Sequence, residues 1–429
     1  MPTFDDHPLR FRLANEIHAR PFPAISSPST GAFLAIKEAE NASARDRDAD
    51  RAHLIKLLDR HGADHPSPGA THYYGKVGRH WLKWESHTEF VTYTAIEDGL
   101  GERPFDPAYF DAFPEDWLNE APGLRLTSAL IRVQEEPDLK TQSKLIEDWF
   151  VSESLAVSEV VDGSATVASD FRIDPAGHMR FAVFTRKDTG ERRIGRVVQR
   201  LCEIETYKAM SMLGFARVQS MSKRLGEIDT ALLRLVERMS GGPSGSEGTL
   251  RELLKLSSEL ENMSAKAAFR FSATRAYEAI VNQRIEVLRE ERFNGRQTFR
   301  EFMMRRYDPA MRTVVASEQR LKEMSERALR AGDLLRTSVD VERQAQNQKL
   351  LESMDKRADL QLRLQKTVEG LSVVAISYYA VNLVVYALGP VTAPIGVSDL
   401  ILFGVATPLT VFAVWWLVQR IRRSVDKVD

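Results

Sequence analysis

The sequence predicts an α+β fold: a mixed α/β N-terminal domain, then long α-helices, then a C-terminal two-helix transmembrane hairpin. Three observations carry this. Residues 1–190 alternate short β-branched and aromatic runs with turn chemistry. Residues 191–368 read as helix, with one Gly/Ser/Pro-rich break at 240–248. Residues 369–419 contain two uncharged apolar runs.

Taken in order, Pro8–Arg20 is expected as a short amphipathic helix, with Leu9, Leu13 and Ile17 on one face and Pro21 ending it. Gly31–Ile36 reads as a strand, and Ala44–Gly62 as a helix with Leu54, Leu57 and Leu58 inward. Residues 71–97 read as a hairpin rich in aromatic and β-branched side chains. Further strands are expected at Leu124–Gln134, Val157–Ile173 and Met179–Arg186, the last two joined through Asp174, Pro175 and Gly177. Helical patches near Phe110–Leu118 and Gln142–Phe150 interleave with them.

Asp188 and Glu191 form a helix-start signal, after which Val197, Leu201, Ile204, Met212 and Phe215 mark the apolar stripe of a helix reaching Ser240. A second helix is expected from Thr249 to Arg292 and a shorter one over Gln297–Arg306. From Pro309 to Leu388 one helix of about 120 Å is expected. Leu321, Met324, Ala328, Ala331 and Leu335 step by three and four along it, a coiled-coil seam. A helix that long must pack on the other helices, on copies of itself, or on both, so a homo-oligomer is expected. The domains are therefore 1–190, 191–308, a stalk at 309–368, the hairpin at 369–419 and a basic tail at 420–429.

Between Glu369 and Asp399, and again between Asp399 and Arg420, no side chain is charged. Each run can cross a bilayer once, and Gly389, Pro390, Pro394 and Gly396 mark the turn between them. Tyr378, Tyr379, Trp415 and Trp416 suit an interfacial belt. The alternative is a helical hairpin buried in a soluble core. Lys356, Arg357, Arg363 and Lys366 precede the first run, Arg420, Arg422, Arg423 and Lys427 follow the second, and the connection carries no Lys or Arg. The positive-inside tendency then puts both termini on the cytoplasmic side of the membrane. Arg420, Arg422 and Arg423 are placed to meet anionic lipid.

The 59 basic and 60 acidic residues give no field that points to nucleic acid. The single Cys202 excludes an intrachain disulfide and suits a reducing compartment. The N-terminus has no apolar core of signal-peptide type, so membrane insertion is expected through the C-terminal pair.

Chemistry-bearing patterns are sparse. Read as one strand over 80–94, Glu85, His87 and Glu89 share a face and form a candidate divalent-metal site, against the plainer reading of a solvated strand face. No other cofactor is indicated. His7, Glu16 and His18 are better read as capping or packing residues. Gly69–Val77 misses the phosphate-loop spacing and the Ser/Thr after Lys76, and no hydrolase or zinc-protease motif is present. Nothing here argues for an enzyme. Asn382, with Tyr379 nearby, is a polar group inside the first span, a candidate for interhelical association or for lining a pore.

Four separated blocks, NEIHARP (Asn15–Pro21), WESHTEFVTYT (Trp84–Thr94), QRLCEIETYKAM (Gln199–Met210) and VEGLSVVAISYY (Val368–Tyr379), resemble an uncharacterised bacterial domain family of unknown function. The resemblance covers nearly the whole chain and implies a membrane protein without assigned catalytic residues. A looser likeness of layout is to CorA-type magnesium transporters, which have a Gly-Met-Asn signature at the outer end of the first span. Here Tyr379-Ala380-Val381-Asn382 keeps only the Tyr and the Asn. Two function classes follow: a non-enzymatic membrane scaffold or sensor, and a CorA-like divalent-cation channel.

Overall fold

The computed structural model describes residues 6–11, 13–14, 22–39, 45–240, 246–392 and 398–425. The chain divides into two compact units, Met1–Ser240 with Arg251–Gly332, and Gly241–Leu250 with Asp333–Asp429.

The first unit is built on a nine-stranded sheet, in spatial order β2-β3-β4-β1-β5-β8-β7-β6-β9. The strands are β1 (Ser29–Lys37), β2 (His72–Val77), β3 (His80–Ser86), β4 (Phe90–Asp98), β5 (Leu124–Glu135), β6 (Ala156–Val160), β7 (Ala165–Ser169), β8 (Met179–Thr185) and β9 (Glu291–Arg292). Every pairing is antiparallel except β5 with β8. All nine residues of β1 are buried, as befits a central strand covered on both faces.

One face of the sheet packs under α1 (Arg47–Arg60), α2 (Glu115–Asn119) and α3 (Leu139–Trp149). Leu34, Trp84, Tyr93 and Phe184 from the strands meet Leu54, Leu57, Trp117 and Ile146 from these helices in one core. The other face is covered by the long α4 (Glu191–Ser240), which lies on β5 and β8 and buries Ile194, Val197 and Leu201. The N-terminal segment departs from expectation: Arg10, Phe11, Leu13 and Ala14 are helical, but Leu9 and Leu13 are exposed rather than packed. Ile17 and the NEIHARP block lie outside the described residues, as do Glu16 and His18.

Two expected elements, the hairpin at 71–97 and the strand at 157–173, each hold one strand more than the sequence pattern suggests. Residues 71–97 form a three-stranded meander, turning at Gly78 and again at His87–Glu89. Residues 157–173 fold as β6 and β7 around Val161, Asp162 and Gly163, all three at positive φ.

α1 and α2 are locked by a reciprocal contact. The His53 ring stacks on Trp117 at 3.9 Å. Its Nε2–H donates to the Trp117 carbonyl at 2.9 Å, and Trp117 Nε1 donates back to the His53 carbonyl at 2.8 Å. A carbonyl can only accept, so the Nδ1 lone pair is left to receive the Tyr93 hydroxyl at 3.2 Å. Burial pulls the His53 pKa below its usual 6.5, and His178 is shifted the same way by the same cause. A histidine with a depressed folded pKa stabilises the fold above its unfolded pKa, and that contribution is lost as pH falls towards the folded value. The melting midpoint of the first unit should therefore drop on going from neutral pH to about pH 5, and His53→Gln should flatten the slope. An identical slope in the variant would contradict this assignment.

α5 (Ser246–Leu288) returns along α4, and Gly214 marks their close approach, since a Cβ there would sit 2.2 Å from Thr274 Oγ1. Arg224 grips Glu259 with two hydrogen bonds of 2.5 and 2.7 Å. After α6 (Phe299–Arg306) comes α7 (Asp308–Thr392), a single helix of 85 residues. Just ahead of it the Tyr307 hydroxyl meets Ser211 of α4 at 2.7 Å, and its first part holds α4 through Arg320–Asp229 and Arg327–Asp229 at 2.7 and 3.2 Å and α5 through an Arg275–Glu318 pair. Leu321, Met324, Ala328 and Ala331 are all buried there. That part of the expected seam is therefore occupied within one chain.

In the second unit, α7 continues and α8 spans Asp399–Val425. Both are long and apolar enough to cross a membrane, and only 11% of the most apolar window of each is buried. A core helix of a soluble protein would bury most of such a window, so the buried-hairpin alternative is disfavoured. α7 runs on through Gly389 and Pro390 to Thr392, past the start of the expected turn. So near the helix end Pro390 removes only one late hydrogen bond, to the carbonyl of Tyr386. Residues 393–397, including Pro394 and Gly396, are outside the described set.

Candidate functional site

The alternation of β3 sorts its side chains. Leu82 and Trp84 enter the main core, while Lys83 and Glu85 point to the α4 side. Opposite them, Gln199, Cys202, Glu203, Thr206 and Tyr207 recur at helical spacing on one face of α4. Between strand and helix lie two adjoining cavities that share Glu85, His87, Gln199, Glu203 and Tyr207. The inner one is about 30 Å³, with Phe33, Phe90 and Cys202 in its walls. The outer one is about 230 Å³ and adds Phe22, Arg200, Arg284 and Val287.

A chain of polar contacts runs through them. Lys83 Nζ lies 3.1 Å from the Glu85 carboxylate and donates to Gln199 Oε1 at 2.7 Å. Gln199 Nε2 donates to Glu203 Oε1 at 2.8 Å, and Arg284 Nε donates to the other Glu203 oxygen. Lys83 and Glu85 are 6% and 8% exposed, so each charge depends on its partner for compensation. Burial pushes the Cys202 thiol far up, which makes it inert as a nucleophile.

Of the proposed metal ligands, Glu85 and His87 meet at these cavities and Glu89 does not. The strand expected over 80–94 turns at 87–89, where His87 N donates to the Phe90 carbonyl at 2.9 Å. Arg45 holds that turn, donating to Ser86 Oγ at 3.0 Å, to the Thr88 carbonyl at 3.2 Å and to the His87 carbonyl, while pairing with Asp50. The turn breaks the two-residue alternation and sends Glu89 to Arg270 and to the Tyr277 hydroxyl, the latter at 2.8 Å. Among the described residues no three His, Cys, Asp or Glu side chains group to hold a metal ion. The candidate divalent-metal site is thus not assembled.

In the first span, Asn382 Nδ2 donates to the Tyr378 carbonyl of its own helix at 3.0 Å, so part of the amide is satisfied locally. Tyr379 is exposed and stands 5.6 Å, ring to ring, from Tyr378. Among the described residues, the buried positions of the two spans are Ser377 and Val381 on α7 and Ala406 on α8.

A family model matches residues 5–425, nearly the whole chain. The chain belongs to that family, described as protein of unknown function (DUF3422). Among curated proteins none matches it. The DUF3422 description assigns no activity, so chemistry in this family member has to be read from the cavities themselves.

Lys83, Gln199, Arg200, Glu203, Tyr207 and Arg284 are cavity residues to which the sequence pattern assigned no chemistry, although four of them lie in the Gln199–Met210 block. The i, i+4 pair Gln199–Glu203 on an otherwise apolar stripe was an available signal. Arg284, on another helix, left none.

Proposed function

We propose that this DUF3422 protein is a membrane-anchored homo-oligomer acting as a non-enzymatic scaffold or sensor, with its sheet domain on the cytoplasmic side. The observation that carries this is the stretch of α7 between the helix bundle and the first span. From Leu350 to Leu364, Leu350, Leu351, Met354, Leu360, Leu362 and Leu364 are all exposed. An isolated helix bearing so many exposed apolar side chains is a surface for another helix, and copies of the same helix would lie side by side once both chains are anchored in one bilayer. The basic flanks support the orientation, and Arg420, Arg422 and Arg423 would face anionic headgroups.

A second reading, a ring of subunits passing a divalent cation by Asn382 and Tyr379, is favoured by one feature: Asn382 is only partly buried in an otherwise apolar span. One experiment addresses both. Met354→Cys introduces a thiol on the exposed stretch, and the buried Cys202 stays silent. Oxidation in native membranes should give disulfide-linked dimers through residue 354. Exclusively monomeric protein would overturn the oligomer. Flux of divalent cations through liposomes carrying the purified protein would favour the channel.

A further inference from the structure

We propose that the outer cavity beside α4 binds a small organic anion, its carboxylate or phosphate held by Arg200 and its apolar body resting on Phe22, Tyr207 and Val287. The balance of charge points there. Of the two carboxylates lining the cavity, Glu85 is matched by Lys83 at 3.1 Å and Glu203 by Arg284. Arg200 is left over. Its guanidinium makes one hydrogen bond, to the Val287 carbonyl at 3.2 Å, and forms no ion pair with a described residue. A guanidinium carries five N–H donors in a rigid fork, so most remain open to a ligand.

The surroundings sharpen this. Burial lowers the Arg200 pKa, and the nearby Arg196, Arg284 and Arg289 act in the same direction against Glu203. A half-buried cation facing further cations is relieved by an anion, and Arg meets carboxylate or phosphate with paired hydrogen bonds. At about 230 Å³ the cavity falls below the range of about 300–1,000 Å³ usual for drug-sized ligands, which calls for a small molecule. An organic cation fits less well. The carboxylates it would need are already matched by Lys83 and Arg284. The cavity lies wholly in the first unit, so the site stands whether or not the chain assembles as proposed above.

The test is to titrate the detergent-solubilised full chain with benzoate, phenyl phosphate, inorganic phosphate, short-chain phosphatidic acid and benzylamine, reading heat and melting midpoint. Benzoate or phenyl phosphate should bind saturably and raise the midpoint. Arg200→Gln should weaken that binding by about tenfold or more, and Arg200→Lys should restore part of it. Tighter binding of phosphatidic acid than of phenyl phosphate would identify a lipid headgroup as the source of the anion, and the reverse a soluble compound. Val287→Asp, at a partly exposed position, places a carboxylate beside Arg200 and should abolish anion binding even if Arg200→Gln does not fold. The proposal is overturned if no anion binds in the millimolar range, if Arg200→Gln and Val287→Asp bind as the parent does, or if benzylamine is preferred.

Discussion

Deletion of residues 369–425 should move the protein from an alkali-resistant membrane pellet to the soluble fraction. The deletion removes both apolar spans, whose side chains stand exposed along most of their length, among them Leu371, Val374, Leu383, Leu400, Leu409 and Phe412. In water that surface has no cover, whereas in hydrocarbon each apolar residue favours insertion by about 0.3–0.6 kcal/mol near the centre of a span. The effect is close to all-or-none because the terms add over two helices. A single charge is a milder perturbation: Phe412→Arg costs about 2.5–3.5 kcal/mol in the second span and should leave the first span inserted. A full chain that washes off membranes at alkaline pH would show that the apolar surface is covered by protein instead.

The second large effect is expected at Trp117. Its side chain is fully buried, stacks on His53, meets Tyr93 edge-on at 5.2 Å and supplies the hydrogen bond to the His53 carbonyl. Trp117→Ala removes this ring from the core and leaves a void, a change that costs about 3–5 kcal/mol. Domains are stable by only about 5–15 kcal/mol, so much of the sheet domain's margin would go. Thermal unfolding should show a midpoint lower by several degrees, with Leu139→Ala, at an exposed position of α3, nearly silent. A midpoint within error of the parent would mean that α2 does not support the sheet.

Much of the architecture was legible in the residues. β1, β5 and β8, the helices over 191–240 and 299–306, and the uninterrupted run from 309 are all local patterns, apolar alternation or the 3.6-residue stripe, and the structure keeps their bounds closely. Where the structure departs from the pattern, a turn interrupts an apolar alternation. Asp162-Gly163 is a strong hairpin dipeptide, yet the apolar residues around it suggested one strand over 157–173. The same kind of interruption undoes the Glu85–His87–Glu89 face: the alternation meets a turn closed by a backbone hydrogen bond and clamped by Arg45, a residue some forty positions upstream. The charged cleft was less legible still, because Lys83, Gln199 and Arg284 are brought together only by the packing of helices on the sheet. The steps of three and four from Leu321 to Ala331 mark a buried stripe, but only the structure could show that neighbouring helices of its own chain bury it.

The edge strand β9 bears on how the protein is made. β6 pairs with β9 through Ser158↔Arg292 and Glu159↔Glu291, and Val157 N donates to the carbonyl of Gln297 at 2.9 Å. A ribosome therefore emits the whole of α4 and α5 before the chain that closes this side of the sheet exists. During that interval β6 offers free backbone donors and acceptors to any extended peptide, its own nascent neighbours on a polysome included. Chains stalled between residues 170 and 290 should be the ones that aggregate or recruit chaperones, and release past residue 300 should end that vulnerability.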